Sequence, residues 1–440
     1  MSDLQPTTLG WAPSVPAHWR VVPLNFYATM GTGHTPDRSI PEYWNNCTIP
    51  WVTTPDVTRR GDSLTPLMET EQHISELGMR NSAAVLHPAD TVMLSRTASV
   101  GYSVRIGRPM ATTQAFVTWK PGPELDARYL LLVLRAMKQE WEKLAYGSTH
   151  LTIYMPDLES VRIPLPPLDE QRRIADFLDA ETARIEKLTA SRRKQINALE
   201  ERELAVISDM LSGGATSDNG YPTDWPWLPY IPSDWSIGPV SAYFYTDLGK
   251  MLNSERSEGD HQRPYLRNAN IHWYEIDTSD VATMNFTADE RKRYSVRSGD
   301  LLVCEGGAGV AEAAVWDGRI EECYFQKSLH RVRQAGEVAV EWLMYWLRLA
   351  KYCGVFEADG NIATIPHLTG ERLRQCRIPI PRNGESLLQK TGRTIKAMAE
   401  VRAALNQAQV LLAERRQALI TAAVTGQFDV STASGRGVME

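Results

Sequence analysis

The chain repeats itself once, and the register of the repeat returns to the same offset at three well-separated positions. Arg135 and Arg348, Gly147 and Gly360, and Gly213 and Gly426 each stand 213 residues apart. That period is far longer than a solenoid unit, so it implies two domain-sized copies of one module and not a stacked array. Each copy opens on a Trp-containing segment, Val15-Pro16-Ala17-His18-Trp19 or Ile231-Pro232-Ser233-Asp234-Trp235, and continues through strand-rich sequence. A helix-like stretch follows, Arg128-Tyr129-Leu130-Leu131-Leu132-Val133-Leu134-Arg135 or Glu341-Trp342-Leu343-Met344-Tyr345-Trp346-Leu347-Arg348. Each copy then reaches a proline-punctuated strand, Arg162-Ile163-Pro164-Leu165-Pro166 or Arg377-Ile378-Pro379-Ile380-Pro381, and a long helix ending at Gly213 or Gly426.

The expected fold is α+β: two mixed α/β domains joined by two long helices in a pseudo-two-fold arrangement. The first domain spans 8–166 and its helix 167–213; a linker and the second domain span 214–381, the second helix 382–426, and a tail 427–440. A length of 440 residues exceeds one hydrophobic core, and 43% hydrophobic residues support folded cores throughout. The stretch from Gly213 to Pro232, rich in Gly, Pro, Ser and Asn, reads as the linker.

From Leu168 to Leu211 apolar residues recur at Ile174, Leu178, Ile185, Leu188, Ile196, Leu199, Val206 and Met210, on one helical face with no intervening proline. Asp169 is placed to cap this helix, Glu170 to meet the positive end of its dipole, and Gly213 to end it with positive φ. The second helix, Glu385 to Val424, carries Ile395, Met398, Val401, Leu405, Leu412 and Leu419 on its stripe. A helix of about 40 residues is roughly 60 Å long, too long for one small domain to cover, so the two are expected to pack on each other. The stripes alone fit equally well a coiled coil that serves only for dimerisation.

Composition excludes several classes of function. Lys and Arg number 47 against 53 Asp and Glu, a net charge of -6, unlike a small basic DNA-binding domain but compatible with a local basic groove. The N-terminus lacks a basic region followed by an apolar run, and runs such as Leu130 to Leu134 are too short to cross a bilayer, so a cytoplasmic protein without membrane contact is expected. The five cysteines have no paired spacing, which points to buried free thiols and not to disulfides or zinc. Neither a G-x-x-x-x-G-K-[ST] loop nor an H-E-x-x-H pair occurs. The glycine-rich Glu305-Gly306-Gly307-Ala308-Gly309 has no glycine-rich counterpart in the first copy, where Ser95-Arg96-Thr97-Ala98-Ser99 stands, so a tight turn explains it better than a cofactor loop. No catalytic residue, no metal and no cofactor bound by the chain itself are expected.

The phrase RIPLPPLDEQRRIADFLDAETARIEKL, Arg162 to Leu188, resembles the conserved segment of type I restriction-modification specificity subunits, with Pro164, Pro166, Pro167, Glu170, Gln171, Ile174 and Leu178 in place. A weaker echo starts at Arg377 and lacks the Glu-Gln pair after Pro381. The resemblance implies two target-recognition domains held apart by an antiparallel coiled coil. It also implies a non-catalytic chain that binds double-stranded DNA and two methyltransferase subunits, through which restriction subunits join. S-adenosylmethionine would then belong to the methyltransferases and ATP with Mg to the restriction subunits. On this reading an outward helix face with Glu170, Gln171 and Arg172 holds the methyltransferases. A coiled-coil scaffold whose globular domains bind only protein is the alternative.

Two similar readers on a rigid spacer would recognise a two-part, asymmetric sequence with a fixed gap. In the first domain Thr53, Thr54, Asp56, Thr58, Arg59 and Arg60 follow the apolar Ile49-Pro50-Trp51-Val52, and loops at strand ends are where binding residues usually sit. Arg96, Ser99 and Tyr102 follow the strand from Thr91 to Leu94, where Arg96 suits guanine or phosphate. Gln114 pairs in the repeat with Gln326, and Gln suits adenine N6 and N7. Ser148, Thr149 and His150 after Gly147, with Asn361 after Gly360, are further candidates. In the second domain the candidates are Arg263, Arg267, Asn268, Asn270, His272 and Lys327, with Arg291, Lys292 and Arg293 as a phosphate-binding cluster.

Overall fold

In the computed structural model, which describes residues 3–147, 151–252, 257–357, 367–428 and 430, Val92-Met93-Leu94-Ser95 is buried on both faces and forms an inner strand. The antiparallel sheet around it has the order Ala28–Thr32, Phe116–Pro121, Val92–Ser95, Ser103–Arg105. A second, three-stranded sheet is mixed: Ile49–Val52 lies antiparallel to His73–Ile74 and parallel to Ala111–Thr112. The helix Ala127–Ala136 is buried along most of its length, so it closes the core from one side.

The second copy repeats this strand for strand. Its antiparallel sheet runs Phe244–Leu248, Leu329–Gln334, Leu301–Cys304, Ala313–Val315. Its mixed sheet sets Gln262–Leu266 antiparallel to Ala282–Asn285 and parallel to Tyr324–Phe325. The proline-punctuated strands make separate two-stranded pairs, Arg162–Leu165 with Arg20–Pro23 and Arg377–Ile380 with Ser236–Pro239. A missing proline N–H costs no inner ladder bond there.

Two compact units result, Met1–Arg192 with Asn406–Glu440, and Arg193–Leu405. The long helices, Leu168–Ser212 and Gly384–Val424, therefore each give one half to either unit. In the first unit Ile174, Ala175 and Leu178 share a core with Ile420, Ala423 and Val424. The start of one helix thus runs antiparallel to the end of the other, with Glu186 3.5 Å from Arg416. In the second unit Leu204, Ile207, Met210 and Leu211 join a core that includes Ile395.

Gly213 and Gly426 end the long helices with φ of 57° and 67°. A Cβ at either would fall against Pro232 or Pro16 of the neighbouring hairpin, so left-handed backbone and close approach both require glycine.

Four local expectations are corrected. Asp169 is not the cap: the Pro167 carbonyl already accepts from Glu170 N at 2.9 Å and Gln171 N at 3.0 Å, which puts Asp169 inside the first turn. Leu188 is 43% exposed, and between Ile185 and Glu203 no residue of the first helix is buried, so its apolar stripe is covered only in part there. The linker contains a hairpin, Gly220–Pro222 with Tyr230–Pro232, beside which Trp225 stacks on Trp227 and Trp227 meets Trp346; turn-rich composition masked an aromatic anchor. The cysteines are not uniformly buried: Cys353 is exposed and Cys47 half-buried, while burial pushes Cys304 and Cys323 up to about 12. Among the described residues no helix is long and apolar enough to cross a membrane, and no group of three or more His, Cys, Asp or Glu could hold a metal.

Candidate nucleic-acid interface

In the first unit, strand pairing gathers several candidate residues at one end of the sheets. Val52 lies beside Thr112, so the loops that follow, with Thr53, Thr54 and Gln114, leave together. Arg96 Nε donates to the Gln114 carbonyl at 3.2 Å, and Thr35 Oγ1 donates to Gln114 Oε1 at 2.7 Å. Ala98 N donates to the Leu151 carbonyl at 2.9 Å and Thr97 bridges to Thr152, which brings the loop carrying Ser99 and Tyr102 against Leu151 and Thr152. Tyr102, Tyr146 and Tyr154 are exposed there, offering aromatic faces next to cationic and amide groups.

The second unit builds the same end from other side chains. Gln326 N donates to the Leu266 carbonyl at 3.0 Å, and Lys327 N to the Lys250 carbonyl at 2.8 Å. Asn268 Nδ2 donates to the Gly306 carbonyl at 2.8 Å, tying the glycine-rich turn to the cluster. Arg267 pairs with Asp280 at 2.6 Å. The helix Ala288–Tyr294, with Arg291, Lys292 and Arg293, is linked to this end through Lys250 Nζ, 2.8 Å from Glu290.

Some assignments are corrected. Thr53 and Asp56 are buried and form a capping box on the helix Thr54–Thr58, Thr53 N donating to Asp56 Oδ2 at 2.8 Å. Asn270 holds the equivalent turn: it is 1% exposed, accepts from Arg267 N at 3.0 Å and donates to the carbonyls of Asp277 and Asp280. Polar groups used up in this way have nothing left to offer a base. Arg60 is turned onto its own loop, donating to the Thr65 carbonyl at 2.6 Å, and Arg59 pairs with Glu71. Arg263 sits at the opposite end of its strand from Arg267 and pairs with Glu322 at 2.6 Å. His272 is exposed on a separate hairpin, Ile271–His272 with Glu275–Ile276. Ser148, Thr149, His150 and Asn361 lie outside the described residues.

The helix start is an internal anchor as much as a surface. Gln171 is fully buried; its Oε1 accepts from Asp126 N at 2.8 Å, and its Nε2 donates to the carbonyls of Glu124 and Pro166, both at 2.9 Å. It therefore does not belong to an outward contact face. Glu170 accepts from Trp19 Nε1 at 3.1 Å and lies 3.0 Å from His18 Nε2. Arg172 alone of the three is exposed with only a long contact, 3.7 Å, to Asp169.

Sequence reasoning missed Thr35, Ser328 and two glycines. A Cβ on Gly33 would collide with the Thr112 carbonyl, and one on Gly249 with the Gln326 carbonyl, so at the same sheet end in each unit the backbones touch. The repetition of a glycine after each of these strands was the available signal.

Residues 16–198 match the family model described as the type I restriction modification DNA specificity domain. The chain is 26% identical over 210 residues to the type I restriction enzyme MjaIX specificity subunit of Methanocaldococcus jannaschii, covering 47% of this chain and 46% of that protein. It is 25% identical over 185 residues to the EcoR124I/EcoR124II specificity subunit of Escherichia coli, covering 41% and 44%. The chain thus spans under half the length of these curated relatives. A solved structure, reported for complex assembly and conformational transition of the type I R-M system, shares the fold with a TM-score of 0.68 at 16% identity, over 94% of this chain and 99% of that one. The first half of the chain thus carries a match to the type I restriction modification DNA specificity domain, the same strand order repeats in the second half, and the fold of the solved structure is shared across nearly the whole chain.

Proposed function

We propose that this chain is the DNA sequence-specificity subunit of a type I restriction-modification enzyme, reading a two-part asymmetric target with one unit per half. The observation that carries the reading is the loop end of each unit: on loops tied down by Arg96 and Asn268, the same strand order presents Ser99, Tyr102 and Gln114 in one and Arg267, Gln326 and Lys327 in the other. One scaffold with two different sets of polar side chains suits recognition of two different half-sites, because sequence is read by base-edge contacts while the scaffold sets register.

On this reading the chain is non-catalytic and works in the cytoplasm. It positions two methyltransferase subunits, which supply S-adenosylmethionine, and restriction subunits that use ATP and Mg join through them. Arg172 at the exposed helix start is the side chain of that segment best placed for the methyltransferase contact.

The test is a map of methylated adenines in cells carrying this chain with its methyltransferase, against cells lacking only this chain. A two-part motif that vanishes with the chain is expected. Methylation that persists unchanged would overturn the reading and put a protein-binding scaffold ahead.

A further inference from the structure

Gln114 and Gln326 occupy equivalent places, each just before the strand that pairs with two others in its unit's main sheet. Each also has its Oε1 engaged by a hydroxyl of its own unit. In the first unit the donor is Thr35 Oγ1, at 2.7 Å. In the second it is Ser328 Oγ, at 3.1 Å, whose own oxygen accepts from Asn268 N at 3.3 Å and so directs its proton to the glutamine. The two hydroxyls come from different places in the repeat, yet leave the glutamine in the same state: carbonyl turned inward, Nε2 without a partner among the described residues.

A glutamine that grips adenine does so with both ends, accepting from N6 and donating to N7. With Oε1 committed to the loop, only the donor end is presented. Resting on the functional reading above, we infer that Gln114 and Gln326 are specificity-determining residues, one for each half of the target, that read an acceptor on the major-groove edge through Nε2. Guanine O6 or N7, thymine O4 and adenine N7 satisfy that donor, adenine without the second bond from N6; the N4 amino group of cytosine opposes it. Arg96 and Asn268 are positioning residues for the same loops, since each donates to a carbonyl of the cluster.

The experiment uses the full chain assembled with its methyltransferase subunits and a library of randomised duplexes, with Gln114→Glu, Gln326→Glu and Thr35→Val. Gln114→Glu replaces the donor with an acceptor and should change the preferred base at one position of one half-site, with loss of the original base by on the order of ten-fold. The other half-site should be untouched, and Gln326→Glu should give the reciprocal result. Thr35→Val frees Oε1 to accept from adenine N6 and should shift the preference at the position Gln114 reads toward adenine, a result that a merely structural hydroxyl would not give. Wild-type motifs in both glutamate variants, while the unaltered chain still reads a two-part sequence, would overturn the inference and leave the functional reading standing. Uniform weakening on all sequences with a shallower salt dependence would overturn it in favour of a phosphate contact. Absence of any motif with the unaltered chain would instead defeat the functional reading.

Discussion

Glu203 and Arg348 form an ion pair at 3.1 Å in which the carboxylate is only 2% exposed. Glu203 lies on the first long helix and Arg348 on the buried helix of the second unit, Val340–Tyr352. The other carboxylate oxygen accepts from Arg402 at 3.1 Å, and Tyr274 Oη donates to the first at 2.8 Å. The repeat partner of Arg348, Arg135, is anchored differently, by Asp62 at 2.8 Å and the Ser103 carbonyl at 2.6 Å, with Arg416 also on Asp62. Both units thus lock a domain helix through a buried arginine, but only the second places the buried acid on the spacer helix.

Removing that acid leaves the Arg348 guanidinium with Glu200 at 2.8 Å and takes the acceptor from Tyr274. Glu203→Ala should therefore destabilise the second unit by about 1 to 3 kcal/mol. Glu201→Ala, an exposed neighbour, should change stability by less than about 0.5 kcal/mol. Urea unfolding midpoints of the two variants check the contrast.

The helix start offers a separate contrast. Gln171→Ala leaves a buried N–H and two carbonyls without their partner and should cost about 2 to 4 kcal/mol. Arg172→Ala should leave thermal stability nearly unchanged and, if this face holds the methyltransferase, weaken assembly. Melting curves and co-purification with that subunit separate the two roles.

Exposure of Leu188 changes what the seam predicts. A carboxylate there can stay hydrated, so Leu188→Asp should cost about 1 kcal/mol or less. Leu178→Asp buries the charge in the first unit's core and should cost more than about 3 kcal/mol. Equal effects in calorimetry would refute this division of the helix.

His330 gives a pH dependence of defined sign. Burial is the main influence on it and depresses its pKa, while its Nε2 lies 2.7 Å from the Leu368 carbonyl. A buried neutral imidazole means the unfolded chain binds more protons, so stability is held above the ordinary value of 6.5 and falls as pH drops through and below it. His330→Gln keeps a donor for Leu368 and should flatten that part of the profile between pH 7 and pH 5. Urea midpoints at intervals across this range measure it, and identical slopes would exclude His330 as the source.

Much of this molecule was legible in the chain alone. The offset joining Arg135 to Arg348 and Gly213 to Gly426 required a duplicated domain with a long helix after each copy. Periodicity and the terminal glycines located those helices because hydrophobic spacing and left-handed backbone are local properties. Gln114, Gln326 and Arg96 were found as loop residues for the same local reason. Which polar side chains remain free to meet a ligand was decided by tertiary structure. Thr53, Asp56, Asn270 and Gln171 look like their neighbours in sequence, yet the Thr53 hydroxyl is spent on Asp56 and the other three on backbone groups. The hydroxyl of Thr35 reaches Gln114 across 79 residues of chain, and that contact, invisible to any periodic pattern, leaves the amide donor as the group on offer.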